Sequence, residues 1–172
     1  MSRFFPHTPY AEDQPLAHTI LTTHVLYRGF QTGATLALPV ASIRAVRQLR
    51  SGIARQAALA SALRTTGAGA LIGTALVVPV LVARMWGRDE IEWKDRSWRL
   101  LQNEGQLEVD DFSLLGSAGG LLFAARRSGV QEAVRTRMVR FAGGLGMGSV
   151  VGVAGYMLWR YGVHGGKRAS DS

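Results

Sequence analysis

Residues 141–159 read FAGGLGMGSVVGVAGYMLW, a run of 19 uncharged residues in which Gly144, Gly148 and Gly152 fall at every fourth position. In water, a glycine inside a helix costs about 1 kcal/mol relative to alanine, so a soluble helical protein avoids such a series. In a bilayer the same spacing makes a smooth ridge on which two helix backbones approach closely. That packing takes the place of the hydrophobic drive that lipid cannot supply between helices. The spacing returns in three other apolar stretches, as Gly29/Gly33, Gly69/Gly73 and Gly116/Gly120. The pattern predicts an all-α integral membrane protein: one small bundle of four helices, or three plus one re-entrant helix, packed through GxxxG ridges.

Residues 65–83, TTGAGALIGTALVVPVLVA, form a second run of 19 uncharged residues. At about 1.5 Å per residue each run is roughly 28 Å long, close to the hydrocarbon thickness of a bilayer. Pro79 is tolerated there, because neighbouring helices re-satisfy the carbonyl it frees. The first segment, 16–43, carries His18, His24 and Arg28 before a stripe of Gly29, Gly33, Ala37 and Ala41. An arginine at mid-bilayer costs about 2.5–3.5 kcal/mol, so the first turns of this segment read as polar or interfacial. The third segment has only 14 uncharged residues, 112–125. It crosses if 109–127 is counted, with Asp110 and Asp111 at one surface and Arg126 and Arg127 snorkelling to the other. By length alone it reads as a re-entrant or interfacial helix. The expected spans are therefore 16–43, 65–85, 109–127 and 141–160, with a polar segment 1–15 before them and a polar tail 164–172 after.

The net charge of +8 rests on 18 arginines and only 2 lysines. These arginines flank apolar segments, and no basic-aromatic groove or nucleic-acid motif accompanies them, which argues against a nucleic-acid partner. Cysteine is absent, so disulfides and thiolate chemistry are excluded. The N-terminal residues lack the pattern of a secretory signal or an amphipathic transit peptide, so an organellar address is expected to be internal. The 42–64 connection holds Arg44, Arg47, Arg50, Arg55 and Arg64 without an acid, and 126–140 holds five arginines against Glu132. By contrast, 86–111 holds eight acids and four bases. Four spans place both arginine-rich connections on one side, the matrix or cytoplasmic face, and leave the termini and the acidic connection on the other.

Each motif admits more than one use. The glycine ridges serve packing within the chain, docking on a larger partner, or both. Three of the four tryptophans, Trp86, Trp93 and Trp98, lie in 86–111 beside Arg99. They read either as an interfacial belt or as an ordered segment docking on a neighbouring protein. Arg44, Arg47, Arg50, Arg126, Arg127, Arg137 and Arg140 read either as topology determinants or as a headgroup pocket for an anionic phospholipid such as cardiolipin. His18 and His24, six residues apart, fall on opposite sides of a helix and do not form a metal site with His164. No nucleophile–base pair, phosphate loop or dinucleotide fingerprint is found. No catalytic residue, metal or cofactor is expected, and the chain is read as a non-enzyme.

The segment EWKDRSWRLLQNEGQLEVDD (Glu92 to Asp111) runs straight into FSLLGSAGGLLFA, then an arginine-rich hairpin and FAGGLGMGSVVGVAGYMLWRYGV. In these parts and their order, over about residues 16–163, the chain resembles the fungal accessory membrane subunits of mitochondrial respiratory complex I (NUXM type). More loosely, its four glycine-bearing spans are similar in layout to the inner-membrane Tim17/22/23 translocase group. The first resemblance implies a mitochondrial inner-membrane, non-catalytic subunit of NADH:ubiquinone oxidoreductase, with other membrane-arm subunits as partners and no redox cofactor of its own. The second implies a translocase or channel component in which Thr22, Thr23, Arg28, Gln31 and Thr32 line a hydrophilic groove. The short third span and Arg28 depart from an ideal four-span pattern.

Overall fold

The computed structural model describes residues 2–127, 132–163 and 165–166. All regular structure among them is helical. Five helices follow one another: α1 (Ala17–Arg50), α2 (Arg55–Met85), α3 (Glu90–Gln102), α4 (Glu104–Arg126) and α5 (Val134–Met157). α5 runs on through a π-helical turn, Leu158–Val163, and two short 3₁₀ turns, Ser2–Phe4 and Ala11–Asp13, precede α1. The expected tail from residue 164, with His164, lies outside the described residues apart from Gly165 and Gly166.

The helices outrun the expected spans because the basic connection 42–64 is itself mostly helical. α1 and α2 are joined by only Ser51–Ala54, where Gly52 takes a positive φ of 77° that lets the chain reverse tightly. The expected acidic connection 86–111 is also largely helix. α3 has Glu90 and Glu92 in its first turn and Arg99 in its last, the arrangement the helix dipole favours. Pairs one turn apart brace it further: Glu92–Arg96 at 3.7 Å and Asp95–Arg99 at 3.0 Å. Asn103 breaks the chain from α3 into α4, where its side chain caps the new helix by accepting from Gln106 N at 3.1 Å.

Two helical hairpins make up the bundle. α1 packs along α2, α4 packs along α5, and α2 against α5 joins the two pairs. In the first hairpin Gly29 faces Gly73 and Gly33 faces Gly69, so the helices run antiparallel. In the second, Gly116 faces Gly148 and Gly120 faces Gly144, while Gly152 lies against the Phe112 carbonyl. A Cβ built on any of Gly33, Gly73, Gly116, Gly120 or Gly148 falls closer than 3.0 Å to a carbonyl oxygen of the facing helix. Only a glycine fits. The join between hairpins uses a third crossing, in which Gly67 sits on the Val139 carbonyl and Gly143 on the Leu63 carbonyl. Ala70 meets Gly146 further along, so α2 and α5 run parallel. Consequently the turn Ser51–Ala54 and the α4–α5 connection share one end of the bundle, while α3 and the N-terminal segment lie at the other.

α2 and the helix Val134–Val163 are long and apolar enough to cross a membrane. A core helix of a soluble protein also passes that test, but it is buried. Here only 17 % of the most apolar window of α2, and 33 % of that in the last helix, is buried in the chain. Ile72, Leu76 and Val80 on α2 and Val151 on α5 are exposed, as are Leu36 on α1 and Leu115 on α4. Apolar surface on this scale marks a membrane or protein interface.

The crossings generate a sharp contrast. Gly67→Ala or Gly143→Ala forces a Cβ into the facing backbone and is expected to cost about 1–3 kcal/mol by overpacking. Gly119→Ala, whose Cβ meets nothing within 4 Å, is expected to be neutral. Thermal unfolding of the purified protein in detergent, followed by circular dichroism, checks this.

Candidate functional site

The polar residues converge at the α3 end of the bundle. α1 presents Tyr27 and Arg28 immediately before Gly29 of the first crossing, and α4 presents Asp110, Ser113 and Ser117 across from them. Arg28 Nη2 donates to Asp110 Oδ1 at 2.5 Å, and its Nη1 donates to Gln31 Oε1. Asp110 is fully buried and also accepts from Gln106 Nε2 at 3.1 Å. The hydroxyls of Tyr27 and Ser113 lie 2.9 Å apart, and Ser113 donates to the Asp110 carbonyl at 2.9 Å. Side-chain bonds thus tie α1 to α4, which make little backbone contact. Burying a carboxylate is costly unless it is paired, and here a guanidinium and an amide satisfy it.

A second cluster joins α4 to the end of the last helix. Arg160 donates to Glu108 Oε2 at 2.8 Å, and the buried Tyr156 hydroxyl donates to the same oxygen. Phe112 packs on Tyr156 with ring centroids 5.0 Å apart.

α3 is tied down on the same end. Trp93 stacks on His18 at 4.1 Å between centroids, and His18 Nε2 lies 2.8 Å from Glu90 Oε2. Trp98 Nε1 donates to the Thr8 carbonyl at 2.9 Å, and Lys94 donates to the Glu12 carbonyl at 2.8 Å. Gln14, wholly buried, donates to the carbonyls of Pro6 and Pro15 at 2.7 and 3.1 Å. Residues 2–15 of the expected polar segment are therefore folded against α3. Of the residues proposed for partner docking, Trp93 and Trp98 make these contacts inside the chain, Arg99 pairs with Asp95 while staying exposed, and Trp86 is broadly exposed.

At the opposite end the arginines divide. Arg44, Arg47 and Arg50 are exposed along the last turns of α1, as are Arg126 and Arg127 at the end of α4. Arg127 lies over the Phe123 ring at 4.7 Å. Arg137 donates to the Glu132 carbonyl at 3.3 Å. Arg140 is buried in an ion pair with Glu132 at 2.7 Å and donates to the Arg127 carbonyl at 2.9 Å, so its guanidinium braces the α4–α5 connection. Among the described residues no cluster of three metal-ligating side chains occurs.

All nine glycines singled out for packing lie at the two hairpin crossings. Sequence reasoning missed the third. Gly67 and Gly143 belong to no GxxxG pair, but each sits beside a glycine on another face, Gly69 and Gly144. A helix with glycines on two faces has two close partners. The Arg28–Asp110 pair was missed as well, since each residue was weighed only as a cost or a boundary.

A family model described as "Protein of unknown function (DUF1757)" matches residues 10–158. The chain belongs to this DUF1757 family. Comparison with curated proteins and with solved structures gives no match. The DUF1757 match takes in all three glycine crossings, the Arg28–Asp110 pair and the His18–Trp93 and Lys94–Glu12 contacts of the α3 dock; it begins after Thr8 and ends before Arg160.

Removing one member of a buried ion pair leaves the other uncompensated, at a cost of about 3–5 kcal/mol. Asp110→Leu in this DUF1757 chain is expected to be destabilised on that scale, and the double variant Arg28→Met/Asp110→Leu to recover most of the loss. A double-mutant cycle on unfolding midpoints in detergent measures the coupling.

Proposed function

We propose that the chain is a non-catalytic accessory subunit of the mitochondrial NADH:ubiquinone oxidoreductase, complex I, placed in the inner membrane as a four-span bundle. Its role in the respiratory chain is to support assembly and stability of the proton-pumping membrane arm. One observation carries the reading. Each long helix spends one side on a backbone-to-backbone crossing and leaves apolar side chains uncovered on another. Such a bundle is rigid by itself yet unfinished, which suits an element wedged between lipid and larger helical subunits. The resemblance of residues 92–163 to the fungal complex I accessory subunits supports the choice of assembly. In this reading α1 and α4 cross alongside the two more apolar helices. The α3 end, with the N-terminus, faces the intermembrane space, and Arg44, Arg47, Arg50 and Arg126 meet anionic headgroups such as cardiolipin on the matrix face.

A second reading, a Tim17/22/23-like translocase component, is favoured by a different observation. Arg28, Gln31 and Thr32 do line an open groove between α1 and α5. In that reading a precursor arrested in transit crosslinks to those positions.

The test is native-gel separation of detergent-solubilised mitochondrial membranes, with mass spectrometry of the bands. The expected outcome is co-migration with NADH dehydrogenase activity, and retention in the membrane through carbonate extraction. Recovery only in a small complex without that activity removes the first reading. Release by carbonate removes both.

A further inference from the structure

The glycine crossings set the height of each long helix against its neighbours. On the parallel pair α2 and α5, Gly143 rests on the Leu63 carbonyl and Gly146 meets Ala70. Equal steps outward from Ala70 and Gly146 bring Arg64 level with Arg140, and Arg84 level with Arg160. Between those levels neither helix carries a charge. About 20 residues at 1.5 Å each make roughly 30 Å, the thickness of bilayer hydrocarbon. Two uncharged runs of one length that also coincide in height mark a common apolar slab. Sequence alone does not show this, because the α2–α5 crossing sets their relative height.

The antiparallel crossings carry the two levels onto α1, from Gly33 facing Gly69, and onto α4, from Gly120 facing Gly144. They fall near His18 and Leu38 on α1, and near Glu104 and Ala124 on α4. Tyr27 and Ser113, whose hydroxyls lie 2.9 Å apart, come out at one height, which checks the assignment independently. On the four long helices, the only Asp, Glu, Lys or Arg residues inside the slab are Arg28, Glu108, Asp110 and Asp111. Each is ion-paired: Arg28 with Asp110, Glu108 with Arg160, and Asp111 with Arg3. Pairing is what an ionised side chain at that depth requires. α4 is short of uncharged residues because it carries paired carboxylates into the slab. Just past Arg84 and Arg160 stand Trp86 and Tyr161, both broadly exposed, and these residue types favour the headgroup level.

From this registration we infer where lipid meets the bundle. Hydrocarbon covers all four long helices between the Arg64–Arg140 and Arg84–Arg160 levels, with Trp86 and Tyr161 in the headgroup layer and Arg28 near mid-membrane. Exposed apolar side chains at slab height, Leu36, Ile72, Leu115 and Val151, lie one on each helix, whereas a protein neighbour covers one face. The inference rests on the membrane placement proposed above and adds its depth. Carbonate extraction tests that placement separately.

The chain has no cysteine, so single cysteines can carry a nitroxide at exposed sites. Ile72→Cys, Leu115→Cys and Val151→Cys probe mid-slab; Trp86→Cys and Val163→Cys probe the α3 side, and Met138→Cys the other. Each full-length variant is reconstituted in phosphatidylcholine–cardiolipin vesicles, and collisions with oxygen and with a water-soluble nickel chelate are measured. The oxygen-to-nickel ratio is expected to be at least about tenfold higher at the three central sites than at the other three, since hydrocarbon excludes the polar chelate. A ratio at Leu115 no higher than at Met138, with Ile72 still deep, overturns the depth assignment and leaves the membrane placement standing. Unlike ratios at Ile72 and Val151 also overturn it. Equal ratios at all six sites overturn both depth and placement. Spin–spin broadening at the three central sites overturns the lipid contact, because a second copy then covers those faces.

Discussion

At three crossings nothing stands between one helix and the next except backbone. A β-carbon at most of these glycines would lie closer than 3.0 Å to a carbonyl oxygen opposite, so the whole bundle depends on side chains that are absent. The consequence is geometric as well as energetic. Helices this close exchange dispersion contacts along their backbones, and Cα–H groups point at facing carbonyls. The core therefore needs few large residues, and those fully buried are chiefly Tyr156, Ile20 and Leu63. Leucines and valines, freed from core duty, are left facing outward.

The polar network follows from the same constraint. Because α1 is held against α2, and α5 against both α2 and α4, the N-terminal halves of α1 and α4 converge without touching closely. Side chains of full length bridge the remaining gap, and Arg28 spans it to Asp110. Seen singly, an arginine at the edge of an apolar segment is a cost of insertion. Seen with Asp110, Gln31, Gln106 and Ser113, it closes the one side of the bundle that glycine does not zip.

Much of this was legible in the sequence, for a physical reason. A GxxxG pair declares its face, because residues four apart stack on one side of a helix. The pairings Gly29–Gly73 and Gly116–Gly148 follow once adjacent spans are folded back on each other. Lone glycines declare less: Gly67 and Gly143 find each other only through the relative placement of two hairpins, a long-range property. The 86–111 connection, with its mixed charge and tryptophans, reads either as an interfacial belt or as an ordered loop-helix docking on a neighbour. Yet its opposite charges sit one turn apart, the spacing of a helix, and Trp93 and Trp98 turn inward onto His18 and Thr8. Nothing local announces that the N-terminal residues supply the other half of that dock.

The two ends of the bundle carry almost equal numbers of basic residues, yet they do not carry equal free charge. At the α3 end, Arg3 pairs with Asp111, Arg88 and Arg96 with Glu92, Arg99 with Asp95 and Arg160 with Glu108. At the other, Arg44, Arg47 and Arg50 have no ion pair among the described residues. Counting residues makes the ends look alike; counting unpaired guanidiniums separates them. An anionic surface responds to unpaired charge within about 10 Å at moderate salt, so local neutralisation matters more than the total. That asymmetry, with a folded dock at one end and bare arginines at the other, makes the two ends of the bundle chemically unlike, which its apolar helices alone do not.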